Sequence, residues 1–362
     1  MKAVYMENKL AFEEDFSPLQ FAVGTSAGGE RLFRACQTFT ETRRDDSDKR
    51  VLVTLDNKNA FNSFDRQAIL DELGTKWPSL VDFFWQFYAT PAELWYRMED
   101  GRTATSSEFL DDFIGAFMDD IDGEVDETCV MRYVDRAEQL LAEKKLRLQR
   151  DKSTRWSPRR QQDSDIPADI ATSDVKCSTE GITVLGCPIG ATSFIQRSLK
   201  KITIGHQPLL EAIVTFAQMG LQGSDLLLRY CVSPRLNYWL RLLPSNSDVS
   251  LAAAERYDAA IITAFRRMFY FPGDFPDSVS AQVQLPIRLG GFGFISATTI
   301  VRTAFLGSVG LTASDVSSRF HGPYGCLRVG AALLDLPWLQ TAAPAFVAVS
   351  EVVGPSFSLP SL

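Results

Sequence analysis

Val51-Leu52-Val53-Thr54-Leu55-Asp56-Asn57-Lys58-Asn59-Ala60-Phe61-Asn62-Ser63 is the stretch on which the reading of this chain turns. Its first five residues are β-branched or apolar, with too little polar alternation for a half-exposed strand. They read as a short buried strand. The run stops at Asp56, so that carboxylate emerges at the strand's C-terminal end, and the polar Asn57-Lys58-Asn59 cannot continue it. Taken alone, a strand-end aspartate most often caps the turn that follows. A functional role therefore needs support from elsewhere in the chain.

Outward from that strand, the pattern alternates between helix and strand. Upstream, a Gly-rich GTSAGG turn opens a helix through Leu32, Phe33, Cys36 and Phe39. Downstream, Asp65–Leu73 has helical spacing and Trp77-Pro78 breaks it. Phe83, Phe84, Phe87 and Tyr88 then share a helical face. Leu94–Arg97 and Thr103–Ser107 flank Glu99-Asp100-Gly101 as a hairpin. An acidic segment ending in Phe117-Met118-Asp119-Asp120 follows, with Ile121 continuing a hairpin. A long amphipathic helix covers about Cys129–Lys145. Residues 153–176, rich in Ser, Arg, Asp and Gln, read as an exposed linker. After Ile182-Thr183-Val184-Leu185-Gly186 the composition becomes mainly helical, which puts a domain boundary near 190–200. Two regions follow, 1–190 and 191–362.

Composition is that of an ordinary globular chain, at 45% hydrophobic and 23% charged residues in 362. No apolar run is long enough to cross a bilayer, and acidic residues come too early for a secretory signal. A soluble, intracellular, membrane-free protein is expected. The six cysteines are scattered without a C-x-x-C pair, and there are only two histidines, His206 and His321. Zinc modules, disulfide frameworks and imidazole triads are therefore poorly supported.

The net charge of −8 is unlike a generic nucleic-acid binder. It is unevenly spread. Residues 99–127 carry eleven acids against Arg102 alone, whereas 132–160 carry ten bases against four acids. An acidic cluster next to a basic stretch suits a metal centre beside a phosphate-binding surface, and equally two solvated segments of opposite sign.

Several motifs can be tested directly. Gly24, Gly28 and Gly29 lack the Lys-Ser/Thr of a phosphate-binding P-loop. An EF-hand reading of Asp119–Glu127 puts Met118 and Cys129 at its end ligand positions, and fails. Phosphoryl transfer fares better. It needs divalent ions held by a few carboxylates, and a strand-end Asp with adjacent Asp residues on a tight turn is a compact way to supply them.

At this point a resemblance becomes specific. Leu55–Ser63 resembles the first palm motif of non-LTR retrotransposon reverse transcriptases, L-D-x-x-x-A-F-N. Gln20–Glu30 is similar to the Gln/Gly-rich block before it, and Phe117-Met118-Asp119-Asp120 resembles the family's [YF]-x-D-D. Leu146-Arg147-Leu148 with Lys152 resembles its next element, and Val184–Gly190 its L-G-x-P-I-G turn. Arg229–Cys231, Pro234–Tyr238 and Leu285–Gly293 resemble its C-terminal region. The matches run in family order from about 20 to 295.

The resemblance implies an α/β (α+β) polymerase palm-like core with an antiparallel sheet and helices, then a mainly α-helical, thumb-like region. It implies an RNA-directed DNA polymerase using two Mg2+ ions, an RNA template, a DNA primer and deoxynucleoside triphosphates. Asp56 and Asp119 would be metal ligands, with Asp120 the accompanying catalytic carboxylate. Phe61 would stand against the sugar 2′ position, Lys152 near the incoming triphosphate, and Cys187, Pro188, Ile189 and Gly190 near the primer end. One departure stands out. The family's second palm motif, S-x-G-x-x-Q-G-D-P-L, is absent: Ser106-Ser107-Glu108 runs straight into Phe109-Leu110-Asp111-Asp112. The resemblance thus describes a truncated member, short of that motif and of most of the fingers. Its alternative is a non-catalytic, degraded descendant.

Overall fold

Val51, Leu52, Val53 and Leu55 are almost wholly inaccessible, as expected of a strand covered on both faces. In the computed structural model this strand, β1, spans Arg50–Asp56. The structure describes residues 7–12, 14, 21–22, 25–42, 50–58, 65–88, 94–97, 103–106, 120–143, 146–158, 166, 168–245, 247–319 and 341–353. These fall into two compact units: Met1–Thr25 with Asp45–Leu185, and Ser26–Arg44 with Gly186–Leu362. Helix α1, Gly28–Thr42, therefore belongs to the second unit although it precedes β1 in the chain.

The first unit is built on a four-stranded sheet. After β1 come α2 (Arg66–Lys76), α3 (Pro78–Tyr88) and the hairpin β2 (Leu94–Arg97) with β3 (Thr103–Ser106), a separate two-stranded sheet. Next are β4 (Asp120–Asp126), α4 (Val130–Glu143), β5 (Thr154–Trp156), the single turn α5 (Ala168–Ala171) and β6 (Lys176–Ser178). Strand order is β4-β1-β5-β6. β1 pairs antiparallel with both β4 and β5, but β5 and β6 run parallel, so the sheet is mixed rather than antiparallel.

One face of that sheet is sealed by α4. Val130, Val134, Ala137 and Leu141 recur at helical spacing and pack on Val51, Val53, Leu55, Val125 and Leu148. Burying each such side chain contributes about 1.5–3 kcal/mol. Asp126 caps the helical turn ahead of α4, accepting from the backbone N–H of Thr128 at 2.9 Å.

The expected linker at 153–176 is corrected at both ends. Arg155 and Trp156 sit in a core strand, and the segment closes on β6. The polar composition misleads because Arg155 is buried in an ion pair with the equally buried Glu127. A charged residue can hold a core strand position when its partner is buried with it.

The chain leaves the first unit after β7 (Gly181–Val184) through Leu185 and Gly186, both at positive φ, and enters the second at β8 (Cys187–Gly190). Helices α6 (Thr192–Gly205), α7 (Gln207–Phe216) and α8 (Leu221–Leu227) follow, then a π-helical turn at Leu228–Val232 and α9 (Asn237–Leu242). The long α10 (Asp248–Met268) carries Ala253, Ala254, Tyr257, Ile261, Ala264, Phe265 and Met268 into the core. α11 (Asp277–Gln284), α12 (Ala297–Arg319) and α13 (Ala342–Val353) complete the described part. Asp258 of α10 caps the start of α12, accepting from Ala297 N–H at 2.8 Å and Thr298 N–H at 3.1 Å.

Candidate active site

Asp56 is the last residue of β1, and the register with β4 puts its Cα directly opposite that of Asp120. Two aspartate positions are thus paired across adjacent strands at the same end of the sheet. The carboxylate of Asp56 is one-third exposed, and Lys152 Nζ lies 3.8 Å from its Oδ2.

The backbone around Asp56 is tightly held. Gln149 N–H donates to the Asp56 carbonyl at 2.7 Å, and Asp56 N–H donates to Ser153 Oγ at 3.2 Å. Asn57 bridges Leu148, and Lys58 N–H donates to Arg147 O at 2.7 Å. Lys152 stands on the tight turn Gln149–Ser153, closed by Lys152 and Ser153 N–H groups donating to Gln149 O.

That turn is pinned in turn to α4. Arg150 donates through Nη2 to Asp135 Oδ1 at 2.6 Å and through Nε to Glu138 Oε2 at 3.1 Å. The hydrogen bonds to Glu138 and Asp135 push the Arg150 pKa up, so its charge is secure. Sequence reasoning passed over Gln149, Arg150 and Ser153. The available signal was an Asp–Glu pair three residues apart on an amphipathic helix, with a basic run soon after it.

Of the other expected site residues, Phe61 and Asp119 lie outside the described residues, as does the segment where the second palm motif was sought. The hairpin preceding that segment is present. Cys187 is completely buried, and Pro188 and Ile189 are buried with it. Burial pushes the Cys187 thiol pKa well up, so it stays protonated despite the neighbouring Arg34 charge. Gly190 is half-buried.

Oxygen donors from aspartates suit a hard cation such as magnesium, which takes few protein ligands and keeps waters and phosphates. The carboxylate of Asp56, one-third exposed, is an oxygen donor of that type. No group of three or more potential metal ligands is found among the described residues. Nor is any described helix long and apolar enough to cross a membrane.

No protein-family model and no curated protein matches the chain. Among solved structures it is similar to apo telomerase from Candida tropicalis, at 10% identity and a TM-score of 0.37. The match covers 94% of this chain and 60% of that one. Likeness at that score leaves fold and function to be argued from the residues themselves.

Proposed function

We propose that the chain is a reverse-transcriptase-type nucleotidyl transferase whose catalytic carboxylates are Asp56, Asp119 and Asp120. The reading rests chiefly on the opposed Cα positions of Asp56 and Asp120, with Lys152 beside Asp56. It draws further support from motifs that recur in family order along the sequence.

In this reading Asp56 and Asp119 would hold two magnesium ions, and the chemistry supplied there would be activation of a hydroxyl nucleophile and neutralisation of leaving-group charge. The protein's own part is positional. The Asp56 backbone is fixed by Gln149 and Ser153, so its carboxylate points from a rigid strand end and not from a mobile loop. Lys152 would bring its side-chain nitrogen to the place where triphosphate charge gathers, on a turn anchored through Arg150. Template and primer would be held largely through phosphates, so binding should weaken as salt rises. Deoxynucleotide preference would rest with Phe61.

The test is primer extension on an RNA template with magnesium, comparing the parent chain with Asp56→Asn and Asp119→Ala. Extension that disappears in both variants supports the proposal. A folded parent that extends nothing favours the second reading, a non-catalytic descendant, for which the missing second palm motif is the specific observation.

A further inference from the structure

The second unit carries a feature that the catalytic reading does not use. Residues 226–247 and 278–301 contain Arg229, Arg235, Arg241 and Arg288 and no acid, in a chain of net charge −8. Arg241 is paired with Glu30, and Asp225 borders the first stretch, which leaves three arginines for the surface. These two stretches meet in space. The Arg229 guanidinium donates to the Phe292 carbonyl at 3.5 Å. A Cβ placed on Gly293 would lie 3.4 Å from both Arg229 Cδ and Ile287 Cγ1.

At the junction the surface is apolar and aromatic. Tyr230 is 63% exposed, Ile287 59% and Leu289 58%, and Phe292 is partly open as well. Tyr230 sits on the π-helical turn, a departure from α-helix often found where function re-aims a side chain. Arg229 covers its ring, with the guanidinium carbon 4.2 Å from the centroid. One face of the aromatic is taken by a cation, which leaves the other to stack.

The loop that presents the apolar side chains is rigid by construction. Gly290 and Gly293 adopt φ of 81° and 73°, and a Cβ on Gly291 would lie 2.1 Å from the Leu285 carbonyl oxygen. Gly293 N–H donates to Leu285 O at 2.9 Å, and Phe292 N–H to Val283 O at 3.2 Å. A surface of this kind loses little entropy when it binds. Arg288, exposed on the same loop, has no ion pair among the described residues.

We propose that Tyr230 and Arg229, with Ile287, Arg288 and Phe292, form a stacking platform for single-stranded nucleic acid. Unpaired bases would stack on Tyr230 and against the apolar loop, while Arg229 and Arg288 meet the phosphates. Charge complementarity selects this occupant, since the surface is basic within an acidic chain and couples an aromatic face to a guanidinium. The inference stands apart from the catalytic reading and needs no turnover.

The test is fluorescence anisotropy of the full chain with a labelled oligothymidylate of about 12 nucleotides, within the span of known single-strand sites. Binding should weaken with salt. Tyr230→Ala should lower affinity about five- to hundredfold, the range for one stacked base, while Tyr230→Trp retains it. An abasic phosphodiester of the same length should bind the unaltered protein as weakly as the thymidylate binds Tyr230→Ala.

Equal binding of abasic and thymidylate strands, or no effect of Tyr230→Ala, overturns the platform. So does a chain that ignores oligonucleotide but self-associates in sedimentation, with association lost in Ile287→Asp, because the surface then serves a second copy. The two proposals fail separately. A chain that binds through Tyr230 but never extends a primer loses only the polymerase reading. One that extends a primer with binding indifferent to Tyr230 loses only the platform.

Discussion

The strand end around Asp56 and the loop Leu285–Ile295 solve the same structural problem by opposite means. Each holds chemically exposed groups in a fixed position on a short stretch of irregular backbone. Around Asp56 the holding is done largely by charge. Arg150 ties the Lys152 turn to Asp135 and Glu138, and the buried pair Arg155–Glu127 anchors β5, the strand that follows this turn, to the end of β4. In the loop the holding is done by shape: glycines at positive φ, a close backbone approach and a ladder of backbone hydrogen bonds. The difference teaches which perturbation each should feel. Charge-held structure answers to partner removal, salt and pH, shape-held structure to an added methyl group.

The largest break should come at the buried pair. Glu127→Ala leaves the Arg155 guanidinium without its carboxylate in the interior, a loss of about 3–5 kcal/mol for a buried pair broken on one side. Urea unfolding should report it, and Glu127→Leu with Arg155→Met should restore much of the loss. Equal stability of single and double variants would contradict a charge-held strand.

Next in size is the glycine loop. Gly291→Ala forces its Cβ against the carbonyls of Leu285 and Gln282, at 2.1 and 2.5 Å, and should cost about 1–3 kcal/mol. Because that cost is steric, it should be the same at low and high salt. A salt-dependent difference would count against it.

Arg150→Ala is a smaller and more selective change. Its pairs are partly solvated, so stability should fall by about 1 kcal/mol or less. If Lys152 is positioned through this turn, the KM for nucleotide in primer extension should rise several-fold with Lys152 itself intact. An unchanged KM alongside the small stability loss would make Arg150 merely structural.

Much of the charge-held region was legible in the sequence. A β-branched run ending in Asp, an apolar stripe at helical spacing and Lys152 in a basic stretch are signals of residue type and period. The structure realises them as β1, α4 and the turn beside Asp56. What was illegible there was partnership. Arg155 read as linker because nothing in its own neighbourhood announces Glu127, 28 positions away. Likewise the parallel pairing of β6 depends on a crossover that local pattern does not encode.

The loop failed differently. Arg288-Leu289-Gly290-Gly291 was readable as a turn, and Gly290 is left-handed there. The exposure of its Ile287, Leu289 and Phe292 was not legible, because apolar character says nothing about which side of a surface a residue ends on. Membership of α1 in the second unit was hidden for a related reason. Its fully buried Arg34 donates through Nη1 to the Gln37 side chain and through Nη2 to the Arg241 carbonyl, and lies over the Phe305 ring, partners remote in sequence or uninformative by type.

The smallest expected effect separates the units by pH. His206 is buried beside the Tyr257 and Trp239 rings, and burial, then the Arg235 charge, lower its pKa. A histidine with a lowered folded pKa is protonated in the unfolded chain first. Stability of the second unit should therefore be full above about pH 6.5, the ordinary histidine value, and fall as the pH drops toward the folded pKa. His206→Gln should flatten that slope in urea titrations at several pH values; an identical slope would place its origin elsewhere.

The central proposal is that Asp56 and Asp119, with Asp120 beside them, form a cation-binding carboxylate site at the strand end where the Cα atoms of Asp56 and Asp120 stand opposite one another. Titration of the full chain with Mn2+, followed by the loss of the free-ion electron paramagnetic resonance signal, tests it without requiring turnover. The account predicts saturable binding that magnesium displaces. It should weaken at least tenfold in Asp56→Asn and in Asp119→Asn, and strengthen in Lys152→Ala, where the competing ammonium is gone. Binding indifferent to both aspartate substitutions in folded protein would contradict the site.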